Sequence, residues 1–271
     1  MDHLVRSRPI GAPVARPVGH SSRVARMLPL AGALVVLALL ITVWALVARR
    51  MSADILPAPA SVWQRFLESL RDGAFAPALF TTVDEAGLGW LVALAVGLPL
   101  GYAIGSWSSL EDALAPYLAG SQSMPIVAIA PLLVVWLGFG VLPKVVVCAL
   151  IAFFPILATT AAGIRGIPGE LRDAARIYAG DRLSLAMRVE IPLAARGIFA
   201  GLKVAAALSV TGAVVGELVS SDQGLGYLLM LGRTNFDTPL MFVAVFALVG
   251  LGGLAYFLVS LLERAAIRWD A

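Results

Sequence analysis

The chain has 271 residues, of which 60% are hydrophobic and 14% charged, with a net charge of +3 and a mean hydropathy of +0.90. A soluble domain carries roughly 25% charged and 45–50% apolar residues. A water-soluble globule and a disordered chain are therefore excluded, and a polytopic membrane protein remains if the apolar residues fall in bilayer-length runs.

The small net charge gives no footing for a nucleic-acid partner. The basic residues are all arginine except Lys144 and Lys203. Cys148 is the single cysteine, so no intramolecular disulfide forms and no CxxC pair exists. The two histidines, His3 and His20, both lie in the N-terminal tail, which leaves no metal site or proton relay built on histidine in the spans.

Residues 1–27 form an Arg- and Pro-rich tail that reads as cytoplasmic and basic (Arg6, Arg8, Arg16, Arg23, Arg26). Residues 28–48 read as a first transmembrane helix. A secretory signal has an apolar core of only about 7–15 residues, and this run is longer and ends in Arg49–Arg50. Residues 49–77 form an outer segment. Pro57 and Pro59 mark an extended stretch, and Trp63, Phe66, Leu67 and Leu70 then recur at helical spacing, which predicts an amphipathic helix on the membrane surface.

From 78 to 264 the pattern predicts five more helices as a permease-like core. The second span covers 78–105. Its Gly97, Gly101 and Gly105 lie four apart on one face, where glycine lets another backbone approach closely. Asp112 and Pro116 bracket a short turn. The third span, 113–137, is interrupted by Pro125 and Pro131. Neither proline can donate a helical hydrogen bond, and a broken helix survives in a membrane only where protein or a water-filled path covers it. The fourth span is 144–164. The longest polar stretch, 165–193, follows as a cytoplasmic loop. The fifth span is 194–219, a Gly-punctuated connection covers 220–238, and the sixth span is 239–262. Residues 265–271 are a second tail. The fold class is thus all-α and integral to the membrane, with six transmembrane helices.

With the N-terminus inside and six alternating spans, 13 basic residues fall on the cytoplasmic side and six outside. The positive-inside rule therefore puts both termini in the cytoplasm. Lys144 counts here among the outer residues, and Lys203 lies within the fifth span.

The sequence lacks the common catalytic kits. There is no GxxxxGK[ST] phosphate loop, no HExxH and no GxSxG. No catalytic residue, metal ligand or cofactor site is expected on this chain. Charged groups in the spans are few. Asp84 and Glu85 sit near the outer end of the second span and read as interfacial, solvated carboxylates. Glu217, near the outer end of the fifth, reads equally as a gating or passage group and as a subunit-packing or outer-surface carboxylate. Burying a charge at the bilayer centre costs about 2.5–3.5 kcal/mol on insertion scales, and no titratable group sits convincingly at the midplane for a proton-driven carrier.

The cytoplasmic loop reads GELRDAARIYAGDRLSLAMRVEIPLAARGIFAGL and is amphipathic in its middle, where Ala174, Ala175 and Tyr178 alternate with Arg172, Asp173, Arg176 and Asp181. Such a helix suits insertion into a partner's groove. The loop resembles the EAA motif of binding-protein-dependent ABC importer permeases: EAA, three residues, Gly, nine residues, Ile or Val, one residue, Leu-Pro. Here Asp173-Ala174-Ala175 takes the first place, Ala179 the glycine slot with Gly180 next, Val189 the branched position, and Ile191-Pro192 the last. Residues 124–140, 144–164 and 214–229 resemble the nitrate, sulfonate, taurine and pyrimidine-precursor branch.

The resemblance implies a type I ABC importer permease fold and a transport subunit that is not itself an enzyme. It implies a cytoplasmic ABC ATPase dimer that binds the ATP, an extracytoplasmic substrate-binding protein, and a second permease copy in the bacterial inner membrane. It assigns ATPase coupling to Asp173, Ala174, Ala175, Ala179, Gly180 and Pro192. Arg182 and Arg188 read either as partners of ATPase carboxylates or as positive-inside anchors. Pro125, Pro131, Gly212 and Gly216 are candidates for pathway flexibility, with helix packing as the other reading of the glycines. An oxyanion, a sulfonate and a small heterocycle all fit as solute, with a lean toward the pyrimidine-precursor or riboflavin-like group. A self-sufficient carrier or channel and a membrane-embedded enzyme are the competing classes. Dependence on a separate ATPase discriminates against both.

Overall fold

The computed structural model describes residues 23–122, 125–179, 181–220 and 222–267. These form eleven α-helices and no strand. Helix α1 (Arg23–Ala48) is a unit by itself, and Met51–Ala271 form the other. The remaining helices are α2 (Pro59–Arg71), α3 (Phe75–Ser106), α4 (Ser108–Gln122), α5 (Ile126–Leu137), α6 (Val141–Arg165), α7 (Gly169–Ala179), α8 (Arg182–Leu185), α9 (Ile191–Ser220), α10 (Leu225–Thr234) and α11 (Thr238–Ala266). Among the described residues α3, α6, the continuous helix Arg182–Ser220 and α11 are long and apolar enough to cross a bilayer. Shorter apolar helices cover Leu34–Ala48 and Ile126–Leu137.

The core lies where α3, α6 and α9 meet. Ala93 of α3, Ala152 and Ile156 of α6, and Ile198, Leu202 and Ala205 of α9 form its buried centre, with Val259 of α11 against it. Small residues make this possible. The expected glycine face of α3 extends to Gly89, Ala93, Gly97, Gly101 and Gly105, one residue per turn, and packs along α6. A Cβ on Gly101 would lie 2.7 Å from the Leu157 carbonyl oxygen, and one on Gly105 would lie 2.7 Å from that of Ala161. In lipid, where no hydrophobic force draws helices together, such close van der Waals approach is a main source of association. The Trp90 indole N–H donates to the Leu202 carbonyl at 3.2 Å, fixing α3 against α9.

Several helix limits differ from those the sequence predicts. Asp112 and Pro116 do not bracket a turn. Both lie inside α4, and the chain turns at Trp107, whose backbone is extended. Pro116 lacks the N–H that would reach the Asp112 carbonyl, yet α4 continues through it. The third span is two helices rather than one. The break is at Pro125, the N-cap of α5, whereas Pro131 stays within α5.

The fifth span begins well before residue 194. α8, a π-helical turn at Ala186–Glu190 and α9 form one unbroken helix. Pro192 lies inside it, ten residues past Arg182, rather than ahead of it. Proline has no N–H for the carbonyl four residues back and its ring crowds that carbonyl. The wider turn just before it relieves this, with the Ile191 N–H donating to the Ala186 carbonyl five residues back.

Helix α2 starts at Pro59, which the pattern had placed in an extended stretch; proline suits a first helical turn because its missing N–H has no intrahelical partner there. It packs against neighbouring elements. Val62 and Ser69 are buried, Phe66 meets Phe75 edge-on at 5.1 Å, and the Arg65 guanidinium donates to Asp237 at 2.6 Å. Trp63 and Leu70 remain exposed.

Candidate functional site

At one end of the bundle α7 projects from the loop between α6 and α9. Glu170 in its first turn and Arg176 in its last complement the helix dipole. Asp173-Ala174-Ala175 sit in the middle of α7 rather than at its start. Asp173 and Ala174 are exposed and Ala175 is half-buried. Leu171 and Ile177 of the same helix are exposed as well, Ile177 at 80%. Ala179 is the last residue of α7, and Gly180 lies outside the described residues. Arg182 and Arg188 are exposed on the following helix.

Asp181 restarts the helix as N-cap of α8, its side chain accepting the Ser184 N–H at 2.7 Å. Hydrogen bonds from the Ser184 hydroxyl and then its amide hold the Asp181 carboxyl below the ordinary carboxylate range. A depressed folded-state value means the cap is intact above the ordinary pKa of about 3.9 and is lost only as pH falls through the lower value. The protection factor of the Ser184 amide is therefore expected to hold at pH 5 and to drop below about pH 4. In Asp181→Ala it is expected to be low at both. Equal protection in the variant at pH 5 would show that the cap does not hold this turn.

Beside α7 stands a polar cluster that spacing alone did not reveal. Arg172 Nε lies 2.8 Å from Glu190 Oε1, and its Nη2 donates to the Ile164 carbonyl at 2.7 Å. The Tyr102 hydroxyl donates to Glu190 Oε2 at 2.5 Å. Glu190 is buried. A cavity of about 810 Å³ opens next to the cluster, lined by Tyr102, Trp107, Arg172, Arg176, Arg182 and Glu190 among others. Arg165, in the last turn of α6, pairs with Glu111 in the first turn of α4.

The opposite end of α3, α6 and α9 holds a second cluster. Glu85 is 1% exposed, not solvated at an interface, and accepts from Lys144 Nζ at 2.5 Å. Lys144 is thus buried on α6 rather than part of an outer loop. Asp84, one residue along, is exposed as expected. Glu217 is 2% exposed. Its carboxylate accepts from the Thr82 hydroxyl at 2.6 Å and from the Gly226 N–H at 2.6 Å. The Leu225 N–H donates to Thr82 Oγ1 at 2.9 Å. A carboxylate from α9 and a hydroxyl from α3 therefore receive the free amides at the start of α10. A Cβ on Gly212 would lie 2.6 Å from Cys148 Cα, and one on Gly216 would lie 3.0 Å from Lys144 Cβ, so both glycines sit tight against α6. Pro131 leaves the Val127 carbonyl without its helical donor. α5 also carries the exposed side chains Val127, Val135 and Trp136.

The sequence profile described as "Binding-protein-dependent transport system inner membrane component" matches residues 94–268. The chain belongs to this family.

Its relatives agree. A riboflavin transport system permease protein from Chloroflexus aurantiacus is 44% identical over 219 residues, covering 81% of this chain and 82% of that one. A putative aliphatic sulfonates transport permease protein from Bacillus subtilis is 31% identical, covering 86% and 85%. A formylaminopyrimidine transport permease protein from Halalkalibacterium halodurans is 29% identical, covering 85% and 92%. A chain of the MetNI methionine ABC transporter, solved in inward-facing conformations, superposes with a TM-score of 0.62 at 19% identity, over 70% of this chain and 95% of that one. The fold is therefore that of a type I importer permease. This chain is a multi-pass inner-membrane permease subunit of an ABC importer, a transport protein and not an enzyme.

Of the residues singled out in the permease from sequence, Asp173, Ala174, Ala175 and Ala179 share one helix, and Gly212, Gly216 and Glu217 line one packing face of α9. Pro125 and Pro131 lie apart from both groups, at α5. The Glu85–Lys144 pair was legible in principle. An ionisable residue in an apolar span needs a partner, and Lys144, Glu85 and Glu217 were among the few charges in such runs. The Tyr102–Glu190–Arg172 cluster carried no such signal, because its members lie far apart in the chain and two sit in a polar loop.

Proposed function

We propose that this permease pairs with a second copy of itself to form the pathway, docks α7 on a cytoplasmic ABC ATPase, and receives solute from an extracytoplasmic binding protein. Both termini then lie in the cytoplasm, and ATP is bound by the ATPase and not by this chain. The observation that carries the reading is α7 itself, a short helix whose exposed Asp173, Ala174 and Ile177 lie on the motif that resembles the EAA loop. The basic-residue asymmetry supports the orientation. The loss of the helical donor to the Val127 carbonyl at Pro131 and the break at Pro125 support α5 as the pathway-lining element, since freed backbone groups are tolerated in a membrane only beside protein or water. Glu217 acts by holding the start of α10 at the outer mouth, with Gly212 and Gly216 setting its helix against α6. The similarity to the riboflavin permease supports a flavin or a related small heterocycle as the solute.

Tagged protein purified from native membranes in mild detergent is expected to bring a P-loop ATPase, and to lose it when residues 173–180 are replaced by a Gly-Ser linker. Radiolabelled riboflavin is the first solute probe. Uptake that stops when the ATPase loses its P-loop lysine supports the heterocycle assignment. ATPase recovery without riboflavin uptake moves the solute to another class. Purification of a stable protein with no ATPase, together with gradient-driven uptake by the chain alone, would overturn the importer reading.

A further inference from the structure

We infer that Arg172, Glu190 and Tyr102 are the positioning residues through which movement of α7 reaches the spans. The inference rests on the proposed docking of α7 on an ATPase and adds the link by which that docking acts.

Apart from glancing contacts, α7 packs on α8 and the π-helical turn. An exposed short helix held so lightly needs a stiffer connection if its displacement is to move long helices. Arg172 supplies one. Its guanidinium reaches the Ile164 carbonyl at the end of α6 and the Glu190 carboxylate in the helix that continues into α9. Glu190 in turn holds the Tyr102 hydroxyl near the end of α3. One side chain of α7 is thus tied to each of the three helices that form the core.

Local sequence explains each contact. The Ile164 carbonyl would ordinarily accept from residue 168, but Pro168 has no N–H, and the Ile167 amide reaches it only at 3.4 Å. That acceptor is left for Arg172. The π-helical turn inserts a residue just before Pro192, which rotates the preceding face by roughly 100°, and Glu190 is its last residue. Nη2 makes a directional hydrogen bond to Ile164, whereas Nε approaches Glu190 as an ion pair without hydrogen-bond alignment, so the link to α9 is electrostatic and the link to α6 is oriented. The adjoining cavity of about 810 Å³ leaves the cluster room to shift as a unit. In the resembled motif Glu190 falls on an unspecified position and Arg172 precedes it, so neither is part of the motif itself.

The test uses the whole complex of permease and ATPase and needs no solute. Hydrogen exchange is followed in α7 and in segments 100–107 and 186–192, with and without a nonhydrolysable ATP analogue. In the unaltered complex the analogue is expected to change exchange in all three. In Arg172→Glu the change in α7 is expected to persist while those in 100–107 and 186–192 fall at least threefold. The double variant Arg172→Glu with Glu190→Arg is expected to restore them. If Arg172→Glu fails to fold, Glu190→Gln and Tyr102→Phe keep side-chain shape and are expected to give the same uncoupling, weaker for the tyrosine. A complex in which these variants transmit as the unaltered protein does overturns the inference while leaving α7 docking intact. No change in α7 even in the unaltered complex removes the docking reading and the inference with it.

Discussion

Replacing Lys144 by methionine is expected to lower the stability of the folded permease by about 3–5 kcal/mol, the range for removing one partner of a buried ion pair. Glu85 is 1% exposed and its close cation is Lys144 Nζ at 2.5 Å. Without the ammonium, a buried carboxylate stands in a low-dielectric surround with Glu217 also in electrostatic reach. Desolvation of an unpaired charge then outweighs anything methionine gains by packing. The check is the apparent melting temperature and the monodisperse yield in detergent. Glu85→Leu combined with Lys144→Met is expected to recover most of the loss, because both charges leave together and an apolar pair of similar volume replaces them. A single variant as stable as the unaltered protein would mean that water reaches the pair.

The second large effect is expected at the α3–α6 contact. Gly101→Val is expected to destabilise the protein by about 3 kcal/mol, the upper part of the range for overpacking. The first added carbon would already lie 2.7 Å from the Leu157 carbonyl oxygen, 2.8 Å from Thr160 Cβ and 3.2 Å from Leu157 Cα. Two of these are backbone atoms, which cannot rotate away as a side chain can. Gly87, on the same helix, has no atom within 4 Å of such a carbon. Gly87→Ala is therefore expected not to destabilise, and to gain up to about 1 kcal/mol from helix propensity. Thermal unfolding of the two variants side by side separates the contact from any general effect of replacing helical glycine. Equal melting temperatures would place α3 and α6 farther apart than described.

Much of the fold was legible because its signals are local. Apolar runs of bilayer length mark α3, α6 and α11, and the glycines at 97, 101 and 105 announced the face that meets α6. The family signal was equally local, since the EAA-like spacing lies within some twenty residues. Helix limits were less legible where proline stood nearby. Pro116 and Pro131 each suggested an interruption and Pro192 the approach to a span, yet all three lie inside helices; at Pro192 the π-helical turn just before it takes up the misfit. Pro125 alone of these marks a real break.

The sequence by itself determined the class of the molecule. Continuous apolar runs of bilayer length satisfy their backbone in lipid as helices, whereas a barrel strand would alternate, and a loop of this pattern without a phosphate-binding motif points to energy supplied from elsewhere. Only the tertiary structure decided which charges meet. Glu85 and Lys144 are 59 residues apart, Thr82 and Glu217 are 135 apart, and Tyr102 and Glu190 are 88 apart. Composition and periodicity report which face of one helix is apolar. They carry no information on which turn of α3 stands opposite which turn of α6 or α9. That register is set by the close approach of small residues along the whole contact, and it alone turns isolated charged residues into buried pairs.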